Sequence, residues 1–193
     1  MGSAIVIAGT PGTGKSSVSE ELSKLTGYPR LGLSEFAIER NLVLYFDEDR
    51  KSYVVDEAAL VKTVSELVEG SPTPVIIHTH YPEVLPPSLV SRAFVLRTHP
   101  VILERRLETR GWDRKKVYEN VMAEILGVVA YNALNAFGPD KVYEIDTSGT
   151  TPREAAEKVY RILKGELLVE PGIRIDWLTV LDPELVTRYG SYE

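Results

Sequence analysis

Ala4-Ile5-Val6-Ile7-Ala8-Gly9-Thr10-Pro11-Gly12-Thr13-Gly14-Lys15-Ser16-Ser17 is the stretch on which the reading of this chain turns. The apolar run 4–8 has the length and uniformity of a parallel strand buried on both faces. Residues 9–16 then match the spacing G-x-x-x-x-G-K-[ST]. Apolar Val18, Leu22 and Leu25 follow at helical intervals, until Gly27 and Pro29 end the helix. Glycines in such a turn let backbone N–H groups converge on anionic oxygens, and the helix start adds the positive end of its dipole. The ligand expected is a nucleoside triphosphate, ATP. Gly12, Thr13 and Gly14 would cradle it, Lys15 would reach the β- and γ-phosphates, Ser16 would ligate Mg²⁺, and Ser17 would meet the α-phosphate. The plainer alternative is a strand–helix turn that binds nothing. The apolar strand before it and the amphipathic helix after it weigh against that alternative.

Outward from the turn, the pattern alternates. Residues 34–39 read as a helix start and 47–50 as an exposed turn, while Tyr53-Val54-Val55 is too short to assign. Asp56 suits the cap of a helix carrying Leu60, Val61, Val64, Leu67 and Val68. Buried strands are expected at 75–77, 93–97 and 142–145. Pro100 suits the first position of a helix that Gly111 ends, and one longer helix is expected over 114–135. Thr151-Pro152-Arg153-Glu154 is a capping box opening a helix to about Lys164. Strands separated by helices predict an α/β fold of the P-loop NTPase class, a parallel sheet flanked by helices. Residues 165–193 stand apart as an extension: Pro171 and Gly172 break the chain, residues 173–178 offer apolar groups to pack back, and the last dozen residues are left open.

Composition narrows the function. A chain of 193 residues fits one domain, and a net charge of −6 argues against holding nucleic acid by bulk electrostatics. The absence of cysteine removes disulfide frameworks, thiolate nucleophiles and Cys-ligated zinc, and suits an intracellular protein. No apolar run approaches the roughly 18 residues needed to span a bilayer. The first residues lack the basic and cleavage features of a signal peptide, so a cytoplasmic or nuclear location is expected.

Within this acidic chain one segment is basic: Arg97, Arg105, Arg106, Arg110, Arg114, Lys115 and Lys116. Arg106 and Arg110 are four apart, just before Gly111. A solvated helix face paired with Glu104 and Glu108 is the bland reading. Beside a phosphate cradle, the same segment reads as a lid whose guanidinium forks meet phosphoryl oxygens.

These pieces together resemble the atypical adenylate kinases, the nuclear adenylate kinase isoenzyme six group of eukaryotes and their archaeal counterparts. The resemblance rests on the 9–16 loop, the histidine after strand 75–77, and Val95-Leu96-Arg97-Thr98 with Arg106-Leu107-Glu108-Thr109-Arg110-Gly111. It covers about residues 4–164, and Asp176-Trp177-Leu178 is similar to the archaeal branch. The resemblance implies a core domain over 1–164, with a small monophosphate-binding region near 33–56 and a short lid near 109–119. It also implies phosphoryl transfer between ATP and a nucleoside monophosphate, AMP first, with accompanying ATPase activity. It further implies a part in small ribosomal subunit maturation through a basic ribosomal protein. By position, Arg110 would contact ATP and His80 would stand beside the γ-phosphate, joining Lys15 as the catalytic set. Arg97 or Arg106 would complete the charge around the phosphoryl group.

Two positions depart from the family pattern. His78 stands where an Asp is expected as the acid that holds Mg²⁺ or its waters, and neutral imidazole is a poor partner for that hard ion. Ile38 aligns where an arginine is expected, with Arg40 two residues on. His78 and His80 together bring a zinc site to mind, but no third ligand lies nearby in sequence. A second function therefore stays open: an ATP-switched assembly factor that hydrolyses slowly and has little kinase activity.

Overall fold

The computed structural model describes residues 2–48 and 52–191. Strand β1 (Ala4–Gly9) lies at the centre of a five-stranded sheet. β5 (Val75–Thr79) pairs with it on one side and β6 (Val90–Arg97) on the other, both parallel. The short β2 (Arg30–Gly32) and β7 (Val142–Asp146) form the two edges, giving the order β2-β5-β1-β6-β7. β1 is buried at every residue because helices cover both faces. Its side chains divide by size: Ala4, Val6 and Ala8 enter one cluster and Ile5 and Ile7 the other.

On the alanine face pack α2 (Leu33–Glu39), α3 (Glu57–Glu69) and α6 (Val128–Phe137), through Phe36, Val64, Ala130 and Phe137 among others. The isoleucine face meets α1 (Lys15–Thr26) through Val18 and Leu22, and α7 (Pro152–Leu163) through Ala156 and Val159. Asp56 caps α3 by accepting from the Ala59 N–H at 3.0 Å, and the Thr151–Glu154 capping box opens α7, both as the residue types predict. Residues 53–55 lie in β4 (Ser52–Val55), which pairs antiparallel with β3 (Val43–Asp47) in a separate ladder. A strand signal this short is invisible without its partner.

The single helix expected over 114–135 is two, α5 (Arg114–Ile125) and α6, broken at Gly127 with φ +66°. The break has a partner from outside the helix: Arg97 Nη2 donates to the Glu124 carbonyl at 2.9 Å, taking up an acceptor at the end of α5. A third cluster joins α4 (Pro100–Glu108) and α5 to the C-terminal segment, through Leu103, Leu107, Val121, Trp177 and Tyr189. That segment docks first at β7, where the Gly172 N–H donates to the Val142 carbonyl at 2.7 Å. It ends in α8 (Pro183–Gly190), within the stretch whose order the sequence leaves open. Tyr189 there is fully buried and donates its hydroxyl to Glu104 at 2.8 Å. Burying such a ring contributes about 2 kcal/mol, enough to hold a short terminal helix. Among the described residues no helix is long and apolar enough to cross a membrane.

Candidate active site

The loop after β1 and the carboxyl ends of β5, β6 and β7 converge at one edge of the sheet, where ligands of open parallel sheets bind. The loop holds its shape by internal hydrogen bonds. The Thr13 hydroxyl donates to the Thr10 carbonyl at 2.9 Å, and Lys15 Nζ donates to the same carbonyl at 3.1 Å. Thr147, at the end of β7, donates its hydroxyl to the Thr13 carbonyl at 3.1 Å. Gly12 is required by close approach: a Cβ there would lie 2.7 Å from Leu103 Cδ1, at a φ of +93°. Gly14 caps α1 without any side-chain acceptor. The first-turn N–H groups of α1 therefore lack a capping side chain and face the cradle, where an anion would satisfy them.

Charge is gathered around this loop. Burial pulls the Lys15 ammonium down to about 8, and the Arg110 guanidinium adds to the shift. Arg106 reaches the loop from α4, donating to the Thr147 carbonyl at 3.1 Å and the Gly12 carbonyl at 3.4 Å. Gly12, Arg106, Arg110, Thr147, Thr150 and Pro152 line a cleft of about 500 Å³ that opens from the cradle. The sequence-predicted Gly12, Thr13, Gly14, Lys15 and Arg110 thus lie together. Ser16 and Ser17 stand exposed on the first turn of α1. His80 follows β5, its ring 3.9 Å from that of Tyr81. Burial, with Lys15 adding to it, takes His80 down to about 4, so it is a neutral hydrogen-bonding group at physiological pH.

Arg97 is the correction. Its expected place beside the phosphoryl group is excluded, because the side chain is 1% exposed and fully engaged in the interior. Its Nε donates to Glu124 Oε1 at 2.8 Å, and its Nη1 pairs with Glu144 and also reaches the Ile175 carbonyl at 3.2 Å. Glu124 takes three more donors: the Thr10 hydroxyl at 2.7 Å, the Thr98 N–H at 3.1 Å and the Trp177 indole N–H at 3.1 Å. Sequence reasoning missed Glu124. The signal was present, since an acid three residues after core-facing Val121 sits on the buried stripe of its helix.

His78 lies on β5 with 7% of its surface exposed. Ser19 Oγ donates to the Ser16 carbonyl at 2.8 Å and also meets His78 Nδ1 at 3.2 Å. The imidazole tautomer sets which of Ser19 and His78 donates in that contact. The ring's Nε2 is buried without a hydrogen-bond partner. It faces Glu35 Oε1, from the first turn of α2, at 3.8 Å. The carboxylate beside His78 is Glu35, whose charge is also felt at Lys15; it and the Ser16 hydroxyl offer oxygen, the donor type that Mg²⁺ takes. Arg40, two residues after Ile38, has its guanidinium 5.3 Å from the Phe36 ring centroid.

Residues 5–127 match the family model of an AAA domain. A Sulfurisphaera tokodaii protein named "Putative adenylate kinase" is 36% identical over 176 residues, covering 91% of this chain and 86% of the relative. The Saccharomyces cerevisiae protein named adenylate kinase isoenzyme 6 homolog FAP7 is 36% identical over 163 residues, with 84% and 81% covered. Among solved structures, shikimate kinase from Acinetobacter baumannii superimposes with a TM-score of 0.62 at 14% identity, covering 86% of this chain and 96% of that one, which bears on the fold alone.

Proposed function

The chain belongs to the atypical adenylate kinase family of P-loop kinases, and from that premise we propose that it moves the γ-phosphoryl group of ATP to a nucleoside monophosphate, AMP first, with slower hydrolysis of ATP alongside. The observation that carries the reading is that Arg106 and Arg110 line one cleft beside an uncapped helix start, with Lys15 near enough to feel the Arg110 charge. A cradle that only bound nucleotide would not need three cations at its open side. Transfer of a phosphoryl group does, because negative charge spreads over its equatorial oxygens in the transition state.

In this mechanism the N–H groups of residues 12–16 bind the β-phosphate, and Lys15 exchanges its bond to the Thr10 carbonyl for the β- and γ-oxygens. Arg106 positions the cradle through Gly12 while Arg110, itself exposed on the segment 109–119, closes over the phosphates and excludes water. Ser17 adds a contact to the α-phosphate. Neutral His80 accepts a hydrogen bond from the attacking hydroxyl or water and so orients it. Ser16 and Glu35 would hold Mg²⁺, whose positive charge offsets that of the phosphate oxygens. The monophosphate lies toward α2 and the β3–β4 ladder, within residues 33–56, with Arg40 as its cation.

A second reading is an ATP-driven clamp on a basic small-subunit ribosomal protein, with turnover serving to release it. The observations that favour it are the histidine at position 78 in place of an acid and the net charge of −6. Steady-state turnover with Mg-ATP, with and without AMP, separates the two. ADP formation that rises many-fold with AMP and vanishes in Lys15→Ala supports the kinase; slow ADP release indifferent to AMP leaves the clamp.

A further inference from the structure

The C-terminal segment grips the buried network that stands behind the phosphate cradle. The Arg174 and Ile175 N–H groups both donate to Glu144 Oε2, at 2.5 Å and 2.7 Å. The Ile175 carbonyl accepts from Arg97 at 3.2 Å, and the Arg97 guanidinium carbon lies 5.9 Å from the Trp177 ring centroid. Trp177 is buried, and its indole N–H ends on Glu124 Oε1, 53 positions away in sequence. Packing alone asks only for an apolar ring. An indole brings a donor as well, which when buried needs an acceptor, and here the acceptor is a carboxylate oxygen shared with two other donors.

The two oxygens of Glu124 are used differently. Oε1 accepts from Arg97 Nε, the Thr98 N–H and the Trp177 indole, whereas Oε2 accepts from the Thr10 hydroxyl. Arg97 and Thr98 are adjacent at the end of β6, so they hold Oε1 from one element. Trp177 is the donor that reaches the same oxygen from another. A carboxylate pinned at one oxygen from two elements resists pivoting, and its other oxygen keeps its aim at Thr10. From Thr10 the path to the cradle is short, since its carbonyl takes the Thr13 hydroxyl at 2.9 Å and Lys15 Nζ at 3.1 Å.

We infer that Trp177 is a positioning residue for ATP: its indole N–H fixes Glu124, Glu124 fixes Thr10, and Thr10 holds the cradle in the shape that receives the phosphates. This rests on the nucleotide-binding reading above and adds to it a control point remote from the phosphates. Lifting residues 174–177 off the network loosens the cradle, and by reciprocity bound nucleotide holds the segment down.

The test is a double-mutant cycle on the full chain, read as calorimetric binding of a non-hydrolysable ATP analogue with Mg²⁺. Trp177→Phe keeps a buried ring and removes the N–H, and it is expected to raise the Kd about three- to ten-fold. In a Thr10→Val background, where the relay is already cut, the same change should move the Kd less than about two-fold, because residues of one network are not additive. Asp176→Ala is the control. It removes the acceptor of the Leu178 N–H and leaves the indole in place, so it should lower stability and keep the Kd within about two-fold of the parent. Urea unfolding of each variant measures stability and confirms that binding is read on folded chains. Lost stability in Trp177→Phe with a parent-like Kd would overturn the inference and make Trp177 a structural residue only. Equal Kd effects in the parent and Thr10→Val backgrounds, or in Trp177→Phe and Asp176→Ala, would overturn it too. An analogue that fails to bind the parent would sink the nucleotide reading and this inference with it.

Discussion

Replacing Glu124 with glutamine changes one atom at the centre of the buried network and leaves its shape intact. In the parent, four donors converge on the two carboxylate oxygens, from Thr10, Arg97, Thr98 and Trp177. An amide offers one acceptor oxygen and an NH₂ group, so at least one donor meets another donor, and the Arg97 charge loses one of its two partners. Breaking a buried ion pair costs about 3–5 kcal/mol; the Glu144 pair, which remains, holds the expected loss near the lower figure, about 3 kcal/mol. That is a large share of the roughly 5–15 kcal/mol by which a domain is stable. A second effect is functional. Glu124 Oε2 anchors Thr10, whose carbonyl in turn holds Thr13 and Lys15. Loss of that charge-assisted bond, worth about 1.5–3 kcal/mol, should raise the KM for ATP by about ten-fold or more. Urea unfolding and steady-state kinetics measure the two effects. Thr10→Val is the companion, since it removes one donor only: it should reproduce most of the KM effect at about 1 kcal/mol of stability. Parent-like unfolding and KM in Glu124→Gln would refute the claim that this carboxylate supports the cradle.

Three further outcomes follow from the same geometry. Arg110→Ala should lower kcat/KM for ATP about 100-fold, or roughly 2.7 kcal/mol, while leaving the unfolding midpoint unchanged, because the residue is exposed; a shifted midpoint with normal kinetics would make it structural. Lys15 titrates near 8 in the free protein, so kcat/KM for ATP should fall as pH rises through that value, where the ammonium loses its proton. In Lys15→Arg that fall should move beyond about pH 10, and a parent-like profile in the variant would assign the titration elsewhere. Tyr189→Ala removes a fully buried ring and should cost about 3–5 kcal/mol in urea unfolding, with m unchanged; a cost under about 1 kcal/mol would show that α8 contributes nothing to the domain.

Much of this architecture is legible in the order of residues along the chain. The strand, cradle and α1 are local objects, set by a few consecutive residues whose types agree with one another, and Lys15–Thr26 forms the helix its spacing predicts. Caps such as Asp56 and Thr151 are equally local. What escapes is whatever depends on a distant partner. Tyr53-Val54-Val55 becomes a strand only through pairing with residues 43–47. The interruption at Gly127 follows from an arginine 30 positions upstream in sequence, which donates to the end of α5. Arg97 shows the same limit within the site. In a basic segment beside a phosphate cradle it reads like its neighbours, and only the strand–helix packing reveals that it points inward to Glu124 and Glu144. The converse holds for Glu35, in sequence as readily a surface charge as a holder of metal waters, which the register of Gly32 opposite His78 sets beside the histidine.

The chain has two tryptophans, and their positions make the molecule its own optical instrument. Trp112 lies in the segment 109–119, with the Lys116 ammonium 4.6 Å from its ring centroid. Trp177 sits at the far end of the interior network, its indole N–H on the same carboxylate that receives Thr10. One indole therefore reports on the segment 109–119 and the other on the buried carboxylate that holds Thr10. Emission from a Trp112→Phe variant isolates the buried network, and the difference from the parent isolates the segment. Stopped-flow fluorescence can then time the two events separately after mixing with nucleotide, with no dye attached.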